Sequence, residues 1–282
     1  MRSDRRPGPS TRVRVQEWRG DVLTRHEDRL ATEEPLEIRL SWPGAPAQRF
    51  LVTMRTPGAD FALAAGLAFA EGVFADAEAV RTVAYCTDEA LAPAQAYNVV
   101  TIQLDRPPLR WAERAAGMSS ACGVCGKDSL DAVATTGATP QPVEPVADVA
   151  VVRGLPERLR EQQRVFDSTG GLHAAGLFGA DGTPLIVRED IGRHNAVDKV
   201  VGQMLLDRRV GRNGLPGTVL CASGRLGFEI VQKAAVARIP VIVAVGAPSS
   251  LAVGLAEDYG ICVAGFARQQ RMVVYTHPSR LT

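Results

Sequence analysis

The chain has 282 residues, a formal net charge of +1, and 46% hydrophobic against 22% charged residues. That balance belongs to a globular chain able to bury a sizeable core, as one large domain or two smaller ones. The near-neutral charge gives no electrostatic case for a nucleic-acid or anionic-membrane partner, and the longest apolar run, Phe61 to Ala70, is too short to cross a bilayer. Five cysteines, an odd number in a chain too large to need disulfide staples, point to a reducing compartment and so to a cytoplasmic protein.

Taken in order, residues 1–12 are polar, basic and Pro-containing. Arg2, Arg5 and Arg6 are followed by Pro7 to Ser10 with no apolar stretch, so a disordered tail is expected rather than a signal peptide. Period-two alternation over Leu36–Leu40, Phe50–Met54 and Val99–Leu104 marks half-buried strands. Between them Asp60–Glu71 places Phe61, Ala64, Leu67 and Ala68 on one helical face, bounded by Pro57-Gly58 and Gly72. Residues 13–118 are therefore expected to form a small N-terminal α+β domain. Cys86, beside a strand over Thr82–Cys86, reads as a small core residue.

Residues 119–147 change character. Ser119-Ser120-Ala121-Cys122-Gly123-Val124-Cys125-Gly126-Lys127 puts Cys122 and Cys125 on one tight turn, with glycines that leave both sulfurs open. Lys127 and a short helix after it favour the thiolate, the reactive form. Structural zinc needs four ligands, and no second Cys-x-x-Cys or Cys-x-x-His occurs. A thioredoxin-type dithiol fits the spacing but not the flanking Thr/Pro/Gly-rich run, which suggests a mobile, sulfur-bearing loop followed by a Pro-rich linker.

From residue 148 helices and strands alternate. Helices are expected over Asp148–Gln163, His194–Arg209, Phe228–Arg238 and Ser249–Asp258. Strands are expected over Gly171–Phe178, Pro184–Arg188, Thr218–Ala222, Val241–Val245 and Ile261–Ala264. The wholly apolar strands imply cover on both faces, hence a three-layer αβα sandwich over residues 148–282. Ligands of such sheets bind beyond the carboxyl ends of parallel strands. Asp190–Asn195, Ser223–Gly227 and Gly246–Ser250 fall there, each with small residues and donors, though none is a phosphate fingerprint and each also reads as a plain helix cap. His194 reads as an acid–base group or a phosphate ligand, or else as a cap or packing residue; His173, on an expected strand, as a satisfied core or edge residue; and Cys221 and Cys262 as core.

Ser119–Lys127, Gly170–Phe178, Arg188–Lys199, Ser223–Lys233 and Gly265–Arg268 together resemble the formate dehydrogenase accessory sulfurtransferase family. The resemblance covers nearly the whole chain after the tail. It implies a sulfur carrier that takes sulfur from a cysteine desulfurase as a cysteine persulfide and delivers it to molybdenum cofactor, a bis(molybdopterin guanine dinucleotide), bound for formate dehydrogenase. It implies Cys122 as the persulfide carrier with Cys125 as its neighbour, Phe266, Ala267, Arg268, Gln269, Gln270 and Arg271 as the cofactor-binding segment, guanine nucleotide as a partial mimic of the cargo, no structural metal, and a homodimer. The family fold is similar to that of cytidine deaminases, yet the His-x-Glu or Cys-x-Glu and the Pro-Cys-x-x-Cys that zinc deaminase chemistry needs are absent here. Two competing readings are a cofactor chaperone without sulfur chemistry and a dithiol redox or metal-trafficking protein.

Overall fold

The computed structural model describes residues 7–86, 97–110, 138–210 and 214–282. Two layered units share them. In the first, β3 (Glu34–Trp42) and β4 (Ala45–Arg55) form a hairpin, and β6 (Val99–Leu104) runs parallel to β3 with β5 (Val80–Tyr85) antiparallel outside it, giving the order β4-β3-β6-β5. Leu36, Ile38 and Leu40 alternate into the core, as the period of a strand requires. Helix α1 (Asp60–Ala70) lies on this sheet. Its sequence is apolar all round, and the structure buries every residue of it but Phe61 rather than one face.

The second unit is a six-stranded sheet of order β12-β11-β10-β9-β7-β8. β9 (Thr218–Ala222), β10 (Val241–Ala244) and β11 (Cys262–Arg268) are parallel; β7 (His173–Gly179) runs against β9, and β8 (Pro184–Asp190) against β7. The carboxyl ends of β8, β9, β10 and β11 therefore emerge at one edge. Helix α2 (Val149–Arg160) covers one face, packing Val152, Leu155 and Leu159 on Val219, Cys221, Val241 and Val243. The opposite face, Leu220, Ala222, Ile242 and Ala244, is covered by α4 (Arg193–Leu206), α5 (Phe228–Val236) and α6 (Ser250–Asp258). This is the expected three-layer arrangement.

The two units meet through α1 and α4. Gly66 and Gly202 sit where the helices cross, so close that a Cβ on either would collide with the Asp198 or Ala62 carbonyl of the opposite helix. Buried polar contacts reinforce the seam. Asp190 accepts from the Thr56 amide (3.1 Å) and pairs with Lys199 (2.7 Å), Lys199 donates to the Thr56 carbonyl (2.8 Å), and the Asn195 amide donates to the Met54 carbonyl (2.7 Å).

Several elements depart from the sequence reading. Ser10–Arg19 (β1) and Val22–Ala31 (β2) pair as a long two-stranded hairpin, so ordered chain begins inside the expected tail. The helix expected over 148–163 ends at Arg160. Asp148 caps its start, and a separate short helix, α3 (Arg164–Thr169), follows, its first amides held by the Glu189 carboxylate at 2.9 Å. A last strand, β12 (Arg271–Val274), extends the sheet beyond the expected end. The described part of the Pro-rich stretch is pinned rather than loose: buried Arg280 donates to the carbonyls of Pro142 and Gly260 at 2.7 Å each, and Gln141 donates to Tyr259.

Candidate functional site

At the carboxyl edge of the large sheet, the loops after β8 and β9 converge on the start of β7, and the loop after β10 packs on the β9 loop through Gly246 and Pro248. His173 opens β7 opposite Asp190, and Gly224 sits against its ring and the Arg193 side chain. His194, in the first turn of α4, lies within hydrogen-bond reach of Glu229 in the first turn of α5, Nε2 to Oε2 at 2.9 Å. That contact holds the Glu229 carboxyl below its ordinary range, more than offsetting burial. Partial burial, then the neighbouring Arg193 and His194, push the His173 imidazole below its ordinary value, which favours its neutral form. His173 is thus neither a core nor an edge residue as expected. It is half-buried at the mouth of the site, a position set by neighbours distant in sequence.

The cap reading accounts for much of this edge. The Ser249 hydroxyl accepts from Ala252 as a helix cap, and the Ser223 hydroxyl accepts from the Ala174 amide, stitching the β9 loop to β7. Gly192 and Gly227 start α4 and α5 without side-chain caps. Most charges of the Arg188–Lys199 motif are structural: Glu189 caps α3, Asp190 and Lys199 close the seam, and Asp198 pairs with Lys233 at 2.8 Å. Burial disfavours the Lys233 ammonium, but Asp198 and Glu71 outweigh it and raise its pKa. Arg193 and His194 remain at the mouth, and the Arg193 Nε is buried without a hydrogen-bond partner among the described residues.

The segment Phe266–Arg271 lies at the same edge, where β11 turns into β12. Phe266 adopts a left-handed backbone (φ 52°), a costly conformation for a bulky residue, and a bulge between Gly265 and Arg268 accompanies it. Arg268 and Arg271 then pair across the two-residue turn Gln269-Gln270. Ala267 to Arg271 line a cavity of about 550 Å³ together with Val245 from the end of β10 and Pro156, Glu157 and Arg160 from α2. Its size suits a nucleotide-scale ligand. Phe266 is not among the lining residues; its ring lies outside, 5.7 Å from the Arg271 guanidinium. The helical wall was not foreseen, because nothing in residues 156–160 marks them as neighbours of a turn more than a hundred residues away.

Cys122 and Cys125 lie outside the described residues, as does the whole Ser119–Lys127 turn. Of the other cysteines, Cys221 and Cys262 are core, as expected. Cys86 is not: it is partly exposed at the end of β5, its sulfur 4.0 Å from the Arg39 guanidinium. Among the described residues no cluster of three or more His, Cys, Asp or Glu could hold a metal ion, and no helix is long and apolar enough to cross a membrane.

Known proteins match this chain over most of its length. The profile of the FdhD/NarQ family matches residues 31–282. A curated relative from Nocardia farcinica, named sulfur carrier protein FdhD, is 49% identical over 259 residues, 91% of this chain and 89% of its own. One of the same name from Mycobacterium tuberculosis is 46% identical over 276 residues, 95% and 97% of the two chains. Among solved structures, a Desulfotalea psychrophila protein described as a formate dehydrogenase accessory protein superposes with a TM-score of 0.74 at 24% identity, covering 97% of this chain and 99% of that one, a likeness of fold.

Proposed function

The chain belongs to the FdhD/NarQ family, and from that premise we propose that it is a sulfur carrier acting on behalf of formate dehydrogenase. What supports this reading is the match over residues 31–282 and the shared name of the curated relatives. Cys122 is the acceptor. Its thiolate attacks the outer sulfur of a persulfide on a cysteine desulfurase; the new S–S bond forms as the donor thiolate leaves, with no net oxidation or reduction. Cys125, three residues on, is placed to relay the sulfur or to limit its loss. The chain is a sulfurtransferase in this sense, and its acceptor is molybdenum cofactor, bis(molybdopterin guanine dinucleotide), bound as cargo.

The cavity beside the β11–β12 turn suits the cargo's nucleotide ends. Arg268 and Arg271 flank it on exposed backbone and present guanidinium groups that pair with pyrophosphate through two parallel bonds each.

Mass spectrometry after incubation with a cysteine desulfurase and cysteine tests the carrier. One added sulfur on the tryptic peptide containing Cys122 is expected, and none in Cys122→Ala. An adduct that persists in that variant would displace Cys122 as acceptor, and an unsulfurated chain that still binds GDP would favour the chaperone. For the cavity, calorimetric titration with GDP should show Arg268→Ala and Arg271→Ala each weakening binding by about 1.5–3 kcal/mol, the worth of a charge-assisted hydrogen bond. Undiminished affinity in the double variant would remove the nucleotide from this cavity.

A further inference from the structure

The cavity at the β11–β12 turn is charged unevenly. Its strand wall carries Arg268 and Arg271 with Gln269 and Gln270 between them, and its helical wall carries Arg160 and Glu157. Arg160 is already engaged: it pairs with Asp167 and lies 4.8 Å from the centre of the Phe166 ring. Glu157 is different. Among the described residues it is the sole carboxylate lining the cavity, and its side chain has no ion pair or hydrogen bond with any of them, although three arginines line the cavity too. Pro156 on the helical wall, Ala267 on the strand wall and Val245 from the end of β10 supply the apolar part of the lining, against which a flat ring can pack.

A nucleotide has the matching asymmetry, with anionic phosphates at one end and a planar base at the other. Phosphates on the arginine turn leave the base against the apolar part of the lining with its edge toward α2. An ionised carboxylate there accepts hydrogen bonds and cannot donate them. Guanine offers two adjacent donors on that edge, the ring N1–H and the exocyclic amine, spaced to meet two carboxylate oxygens. Hypoxanthine offers one of them. Adenine presents a bare ring nitrogen, whose lone pair a carboxylate repels.

We propose that Glu157 is the base-reading residue of this cavity, accepting from the Watson–Crick edge of guanine and thereby selecting guanine nucleotides. The inference rests on the nucleotide reading given above and adds to it the source of base selectivity. The division of labour follows: the arginines hold any nucleoside diphosphate, and Glu157 decides which base is retained.

The experiment is calorimetric titration of the full chain with GDP, IDP and ADP, repeated on Glu157→Gln and Arg268→Ala. Glu157 is exposed, so Glu157→Gln should fold normally, which circular dichroism checks. The wild-type chain is expected to prefer GDP over IDP by roughly tenfold or more, in the range of a two-point base contact, and to bind ADP more weakly still. In Glu157→Gln, whose amide turns a donor toward a donor, the GDP-to-IDP ratio should collapse toward one. In Arg268→Ala both affinities should fall together with the ratio kept. A Glu157→Gln chain that keeps the wild-type ratio overturns the assignment of Glu157 while leaving the cavity a nucleotide site. A wild-type chain that binds none of the three overturns the nucleotide reading and the inference with it.

Discussion

Cysteine shows how strongly the fold decides what a side chain can do. Cys221 lies inside β9 with no exposed surface, and burial alone pushes its thiol far above the ordinary range. Cys262, at the start of β11, is pushed up to about 12 by burial, against an opposing pull from Arg280. The thiolate is the nucleophile, so both should be inert in the native chain. Cys86 is partly exposed beside a guanidinium. In a chain carrying Cys122→Ser and Cys125→Ser, iodoacetamide should modify Cys86 alone when folded and all three remaining cysteines in urea, as peptide mapping would read. Native labelling of Cys221 or Cys262 would contradict the packing of the sheet. The two buried cysteines were legible because each sits in an unbroken apolar run. Cys86 was not, because its exposure and its cationic neighbour are fixed by β3, 47 residues earlier. The same holds for His173, whose strand was foreseen and whose company of Arg193 and His194 was not.

Among the elements, the α1–α4 crossing carries the tightest constraint. Gly202→Ala would drive a methyl into the Ala62 carbonyl, and overpacking of a rigid backbone contact costs about 1–3 kcal/mol or more. Gly154 in α2 is the control. Among the described residues nothing lies within 4 Å of the Cβ it lacks, so Gly154→Ala should stabilise by about 0.5–1 kcal/mol through helix propensity. Urea unfolding of the two variants should therefore move in opposite directions, and a neutral Gly202→Ala would mean the helices can separate without loss. Periodicity gave both helices, since each has an apolar run of sufficient length. It could not give their contact, because glycine at a crossing leaves no pattern in the chain that contains it. The β1–β2 hairpin escaped for another reason: β2 is exposed almost throughout, so it has no alternation of buried and open positions to read. The candidate site divides in the same way. Residues 266–271 could be named from family resemblance, whereas Glu157 and Arg160 reach the cavity only because α2 packs across β11.

At the scale of the molecule, the seam between the two sheets decides whether they behave as separate bodies. One continuous core runs from Leu36, Ile38 and Leu40 through Leu63 and Leu67 to Val197, Val200, Val201 and Met204, so α4 has apolar partners on both sides. Polar groups cross the same boundary. Without residues 54–56, Asp190 and Lys199 would keep each other but lose the Thr56 amide and carbonyl, and Asn195 would lose the Met54 carbonyl, leaving buried groups short of partners at about 1–3 kcal/mol each. Arg280 binds the C-terminus back to residues 142 and 144, and so holds one flank of the segment leading from the Cys122 turn into α2. These contacts argue for a single cooperative unit whose two described halves cannot part. A fragment of residues 138–282 should then fail to hold its native state despite containing the complete six-stranded sheet. It is expected to aggregate, or to bind a hydrophobic dye and lose a sharp urea transition, whereas the full chain should unfold in one step by fluorescence and circular dichroism alike. A soluble fragment with a cooperative transition of its own would instead make α1 and its sheet a detachable domain.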